Sequence, residues 1–491
     1  KWCDAALDEL WRDLWDIYPV LKLLVPFESF YAKYNYGALE YQQASNLLPD
    51  VDWPRFQQYS TRVKSITFDE SAVKIGPPSR EGISFLILHH PYGNCLTPNL
   101  QNLRWTLSNS ATITAMLPFI SQRLEYLRMD IQLESMETQE VFFGLTHRTP
   151  ALKRLSIESE ASPSDISPSF SGWIRTCIGL EKAHIPRRWQ TSSVVTAFGS
   201  LPNLVEFGLE WSLVPKEYMR HEMEMRLTEG SFRSLRRLGW SSNMDTAQDL
   251  LYQAPCRLQG LALDCPWFQS QAEVIAFIST AADRCPDLDS FCLNLTNFVD
   301  GMEPDGDPEL FDLGILRPLL ACRRLRELCI HYPGRCILST TDLEEMGAAW
   351  PNMEELVLCP DPNAGEHGTP ISRLPLVATA FPRIRILGLY LDHSDPPSSA
   401  GDLLPEIQFK CLEELHVGAS PIPAGDTASV GLYLASLFAA GTRPLIRAEE
   451  SGARSNYFYG SLFSESWTEV ERWVHLTMGV KEAVLCRLSG R

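Results

Sequence analysis

Adjacent histidines, His89-His90, follow the strand-like run Ile83–Leu88, and carboxylate pairs recur as Glu354-Glu355 and Glu413-Glu414. Two imidazoles could bind a metal, and two carboxylates could share acid–base work. The spacing argues against both. Neighbours on a strand point to opposite faces, so His89 and His90 cannot easily chelate one ion. The acid pairs return at the same place in a repeating pattern, which marks them as solvated strand edges. The run from Asp300 to Glu309 is acidic enough for calcium but lacks the alternating ligand order of an EF loop. Gly-x-Ser-x-Gly, the P-loop pattern and His-Glu-x-x-His are all absent. The expectation is a non-enzymatic protein with no cofactor and no metal.

Thirteen cysteines are present, none in a Cys-x-x-Cys pair, and many lie inside apolar runs. They read as reduced thiols acting as small hydrophobes, which places the protein in the cytoplasm or nucleus. The 43 basic and 61 acidic residues leave a net charge of −18. A nucleic-acid ligand is disfavoured, because affinity for phosphate chains comes from basic residues. No apolar run reaches the roughly 18 residues that a membrane span needs, so no membrane contact is expected either.

The element that organises these residues is a repeat. A core of the form apolar-x-x-apolar-x-apolar recurs thirteen times, starting at Val63, Leu100, Leu124, Leu152, Leu180, Leu204, Leu235, Leu258, Leu288, Leu325, Met353, Ile384 and Leu412. Its intervals run from 23 residues (Leu235 to Leu258) to 37 (Leu288 to Leu325). Their mean, about 29, is the upper end of the leucine-rich-repeat period. The last two apolar positions are two apart and share one strand face. Helix-forming stretches such as Gln271–Arg284 and Thr341–Trp350 lie between cores, the second with Thr341 and Glu344 in capping-box order. Pro150, Pro202, Pro286, Pro351 and Pro382 each stand two residues before a core, where proline ends a helix and favours extended chain. The predicted fold is α/β: an irregular leucine-rich-repeat solenoid, parallel strands on its inner wall, helices outside and helical caps. Residues 1–60 form the first cap, 61–420 the repeats and 421–491 the second cap.

The outward strand positions make up the inner wall. The middle column begins Thr67, Arg104, Arg128, Ser156 and His184, then turns small or apolar through Gly239, Ala262, Cys292, Cys329, Val357 and Gly388, with Tyr390 in the neighbouring column. Exposed apolar surface of that extent marks an interaction site. These seven positions, Gly239 to Tyr390, are the expected contacts for a protein target of unknown identity. Two other readings stay open: small residues permitting tight curvature, and coverage by the chain's own tail.

Trp2, Leu7, Leu10, Trp11 and Leu14 are the conspicuous apolar residues of the N-terminus, the last four in an i, i+3, i+4, i+7 stripe. The run Ala6-Leu7-Asp8, Leu10-Trp11 and Leu14, with Trp2 before it, resembles the last helix and tail of an F-box. With Leu21-Lys-Leu-Leu24-Val25-Pro26 and the irregular repeats, the chain is similar to fungal, basidiomycete-type F-box/leucine-rich-repeat proteins. The front of such a motif would precede Lys1. The resemblance implies a substrate-recognition subunit of a Skp–cullin–F-box ubiquitin ligase, with those five N-terminal residues on a Skp-type adaptor. The same stripe would equally serve a helix that only caps the array, in a stand-alone interaction scaffold. At the other end, Ala428–Ala440, closed by Gly441, and Trp467–Leu485 read as helices lying on the last repeat.

Overall fold

The computed structural model describes residues 2–24, 52–69, 90, 95–107, 115–132, 135–159, 163–208, 227, 230–253, 257–265, 270–295, 310–334, 336–362, 368–393, 407–448 and 460–488. His89, the acidic run 300–309 and the aromatic stretch 457–459 lie outside them. The chain divides into two compact units, with the boundary among the described residues between Leu235 and Arg236.

Among the described residues the first unit holds seven strands: β1 Asp13–Leu14, β2 Ser65–Asp69, β3 Asn102–Leu107, β4 Tyr126–Ile131, β5 Arg154–Ser159, β6 Lys182–His184 and β7 Glu206–Gly208. Each pairs in parallel with the next. The second unit repeats the arrangement with β8 Arg237–Ser241, β9 Gly260–Asp264, β10 Ser290–Asn294, β11 Glu327–His331 and β12 Glu355–Leu358. It continues, after the short β13 Thr369–Pro370, through β14 Ile386–Leu389 and then, past β15 Leu391–Asp392, through β16 Glu414–His416 and β17 Leu445–Arg447. β13 and β15 form a separate small pair. The architecture is α/β, with parallel strand ladders built from the repeated apolar cores.

All thirteen repeat cores form strands, and the reason is visible at each one. The first apolar residue plugs a turn before the strand: Leu124, Leu152, Leu288 and Leu325 are fully buried. Their amides donate back three residues, as Leu152 N–H does to Thr149 O at 3.3 Å. The next two apolar residues alternate inward. The residue just before each strand then accepts two amides from the following one. Glu125 O takes Lys153 and Arg154 N–H (both 2.9 Å), and Arg385 O takes Glu413 (2.7 Å) and Glu414 (3.0 Å). Side chains at this edge alternate in charge, giving Lys153–Glu125 at 3.2 Å and Arg385–Glu413 at 2.7 Å. That placement makes Glu413 a solvated edge residue, as its pairing predicts.

Helices close the repeats from the other face. The expected Gln271–Arg284 is observed with those limits, its Ser270 hydroxyl accepting Glu273 N–H at 3.4 Å. The helix expected from Thr341 spans Thr340–Ala349, and its capping box is Ser339 with Asp342, not Thr341 with Glu344. Ser339 competes better because its amide and hydroxyl both meet Asp342 (2.7 and 3.2 Å).

Both ends hold a strand that the leucine pattern does not announce. Helix α1, Trp2–Arg12, stops before Leu14, which enters β1 and pairs with Ile66. The four-residue stripe is therefore not one helix face: Leu14 is buried in the strand ladder, whereas Leu10 is 70% exposed. At the far end the helix Thr427–Leu437 stops short of Gly441, because Phe409 N–H captures Leu437 O and pulls Phe438 into extended geometry. Gly441 instead makes a turn at φ +90° leading to β17. The final helix, Gly460–Leu488, lies on Thr427–Leu437, so closely at Gly431 that a Cβ there would stand 2.5 Å from Trp473 Cβ. It buries Trp467, Val470, Val474 and Met478, while Val480 is 64% exposed.

Candidate interaction wall

The side chains that face away from the helices form ladders in register. In the first unit Thr67, Arg104, Arg128, Ser156 and His184 are successive partners, as are Tyr126, Arg154, Lys182 and Glu206. This wall is charged and largely cross-linked. Arg128 pairs with Glu158, and Glu206 takes both Lys182 Nζ (2.7 Å) and His184 Nε2 (2.9 Å). Hydrogen bonding from His184, outweighing the burial that opposes it, lowers the Glu206 carboxyl to about 2.

A depressed folded-state pKa contributes stability that is present above the unfolded value and lost as pH falls towards the folded one. For Glu206 that window runs from the ordinary 4.5 down to about 2. Glu206→Gln is therefore expected to destabilise at pH 6, with the gap to wild type closing as urea melts are repeated towards pH 2.5. An unchanged gap would mean that the carboxylate charge contributes nothing.

In the second unit Gly239, Ala262, Cys292, Cys329, Val357, Gly388 and His416 are likewise register partners. Six of the seven expected target contacts, Gly239 to Gly388, stand side by side in this column, Tyr390 lies just past the end of β14, and the set is less exposed than the sequence pattern implies. Val357 is 3% and Tyr390 8% exposed, Gly239 and Gly388 are buried, and Ala262, Cys292 and Cys329 are half-buried. Neighbouring side chains close over the small positions. Val357 Cγ1 lies 2.7 Å from where a Gly388 Cβ would stand, so the valine occupies the glycine's outward space.

Several polar groups of this wall are withdrawn from water. Burial, with the charge of His416 adding to it, lowers His331 to about 4, so it is neutral near pH 7. His416 Nε2 bonds Glu414 at 2.9 Å, and Arg447 grips the same carboxylate at 2.7 and 3.2 Å. Cys329 hydrogen-bonds Cys292, which with burial keeps its thiol well above the ordinary range. Cys359 is raised chiefly by burial, with Cys336 as its sulfur partner. These are free thiols serving as small hydrophobes. Among the described residues no group of three His, Cys, Asp or Glu is arranged to hold a metal. His90 sits between the rings of Trp53 (5.2 Å) and Phe56 (5.6 Å).

The N-terminal residues named from sequence part company. Leu7 is half-buried, and Trp11 packs on Tyr59 at 4.9 Å. Leu10 and Trp15 project into solvent at 70% and 83% exposure. Trp2 lies in the helix, and its side chain is outside the described residues. Trp15 had no place in the stripe. An apolar residue that breaks helical spacing just after a helix is the signal that marks it.

No family model matches the chain. No curated protein matches it either. Among solved structures it is similar to the leucine-rich-repeat-containing protein LegL7 from Legionella pneumophila, at 11% identity and a TM-score of 0.30, over 75% of this chain and 96% of that one. A Bacteroides fragilis protein is similar at 11% identity and TM-score 0.25, over 65% and 74%. Among the described residues no helix is long and apolar enough to cross a membrane.

Proposed function

We propose that the chain recognises another protein along its strand walls and uses its N-terminal helix to engage a Skp-type adaptor, so that a bound target is held beside a ubiquitin ligase. The observation that carries the adaptor arm is the pair Leu10 and Trp15, large apolar side chains standing in solvent while Leu14 between them is buried. Tryptophan is among the side chains that supply most of the binding energy at an interface centre, and the leucine adds apolar area near it. The target arm rests on the ladders; of the proposed contact set in the second unit, Ala262, Cys292 and Cys329 are half-buried, and Gly239, Val357, Gly388 and Tyr390 are buried. Catalysis would then be proximity alone, through raised effective concentration.

The test is capture of a purified Skp-type adaptor by the full-length product. Leu10→Asp with Trp15→Asp is expected to weaken capture at least tenfold and leave the melting temperature within a degree or two, since neither side chain is packed. No capture by the wild type would end the adaptor reading. A stand-alone scaffold is the second reading, and one contact favours it. Arg62 holds the helix to the repeats, with Nη1 donating to Asp4 O at 3.1 Å and pairing with Asp8. A helix fixed in that way serves as a cap.

A further inference from the structure

We infer that Arg104, Tyr126 and Arg154, on β3, β4 and β5 of the first unit, form a clip for an oxyanion carried on a side chain of the bound protein segment. The inference rests on the protein-recognition reading above and names the chemistry of the partner. The two guanidinium carbons lie 5.8 and 5.1 Å from the Tyr126 ring centroid. They come from strands on opposite sides of β4. Both arginines are exposed and Tyr126 is half-buried.

The charge pattern makes these two cations unusual. Arg104 stands directly beside Arg128, and Arg154 beside Lys182. Like charges opposite one another on neighbouring strands destabilise a sheet. In each pair only one member is neutralised: Arg128 by Glu158 and Lys182 by Glu206. Arg104 and Arg154 have the tyrosine ring and, among the described residues, no carboxylate within ion-pair distance. The ring face meets both guanidinium groups, and a guanidinium on an aromatic face keeps the donors at its edge for a ligand. Guanidinium forks match carboxylate and phosphate geometry, which specifies the ligand as an acidic or phosphorylated side chain.

Charge on the rest of this wall orients the segment. Asp69 and Asp130 stand two residues further along β2 and β4, on the same face as the middle column, while Glu158, at the same place on β5, is already paired with Arg128. An extended segment with its acid over the clip therefore places basic residues towards the two aspartates.

The experiment uses the full chain and three fluorescein-labelled nonapeptides, identical except for a central glutamate, phosphoserine or glutamine, each followed by two lysines. Fluorescence anisotropy at 50 mM salt is expected to give at least tenfold tighter binding for one or both anionic peptides than for the glutamine peptide. Glutamate at least equal to phosphoserine assigns a carboxylate partner. Phosphoserine ahead by tenfold or more assigns a phosphorylated one. Arg104→Gln with Arg154→Gln should remove the preference, while Arg326→Gln with Arg385→Gln, two edge arginines of the second unit, should keep it. Equal binding of all three peptides, or a preference that survives the first double change, overturns the clip. Adaptor capture measured on the same proteins separates that failure from failure of the recognition reading, because Leu10 and Trp15 play no part in the clip.

Discussion

Trp173→Ala is expected to lower the opening free energy of the first unit by about 3–5 kcal/mol, the cost of deleting a large buried aromatic. Trp173 lies in the helix Pro163–Ile174 and is fully buried. Its ring stacks on Phe142 at 5.6 Å with an interplanar angle of 15° and meets Phe170 at 5.9 Å. Phe170 in turn meets Trp189 (5.2 Å) and Phe198 (6.0 Å), and Phe198 meets Phe207 (4.8 Å). The tryptophan thus belongs to a continuous aromatic chain that runs through four repeats, from Phe142 to Phe207. It also donates from Nε1 to Thr149 Oγ1 at 2.9 Å, and that hydroxyl lies in the turn that starts β5. Alanine leaves a cavity and takes away the buried threonine's indole partner. Trp173→Phe should cost less, about 1–2 kcal/mol, because it keeps most of the packing and loses the hydrogen bond. Hydrogen exchange of the β5 and β6 amides reads the difference directly. A loss below about 1 kcal/mol for alanine would show that neighbouring repeats collapse into the space.

The second large effect belongs to Gly418→Val, expected to cost about 3–5 kcal/mol from left-handed strain and forced backbone movement together. Gly418 follows β16 at φ +49°. A Cβ there would stand 2.2 Å from Pro360 O and 2.4 Å from Asp361 Oδ1. The first of these is backbone and cannot swing away. The contact is close because the loop after β16 lies against the loop after β12, where Ala419 N–H donates to Pro360 O at 3.3 Å. Ser420 then accepts Leu391 N–H on its hydroxyl (2.7 Å) and Trp467 Nε1–H on its carbonyl (2.8 Å). The turn at Gly418 therefore brings together the loop after β12, β15, β16 and the last helix. Burial here pushes the Asp361 carboxyl up to about 6. Gly441→Ala is the contrast. Its φ is +90°, yet nothing lies within 4 Å of its added carbon, so only about 1 kcal/mol is expected. Urea unfolding of both variants checks the comparison, and equal losses would show that strain, not contact, sets the cost at Gly418.

How legible these features were varies by kind. The thirteen cores could be read directly, from Val63 to Leu412, because each needs only three apolar residues at fixed spacing to place a turn and a strand. β1 and β17 could not. Leu14 and Ile446 have no leucine pattern behind them and become strands only because β2 and β16 offer open edges. The cap at Ser339 was missed by two residues because Thr341 offers the same chemistry, and only geometry decides between them. The aromatic chain through Trp173 is likewise spread over separate helices and strands, so no local pattern reveals it.

The candidate site divides in the same way. Which residues share the wall was determined by the sequence alone, since a strand has a period of two and one buried face sets the register. Arg104 beside Arg128 and Cys292 beside Cys329 follow from counting. Which of them meet solvent, and which charges are already matched, was decided only by the tertiary structure. Val357 closes the space over Gly388, and Glu206 binds Lys182 and His184 from the adjoining strand. Arg104 and Arg154 meet the Tyr126 ring and, among the described residues, no carboxylate. Exposure and ion pairing depend on side chains brought from neighbouring repeats, some 20 to 40 residues away, and on the rotamers they adopt there.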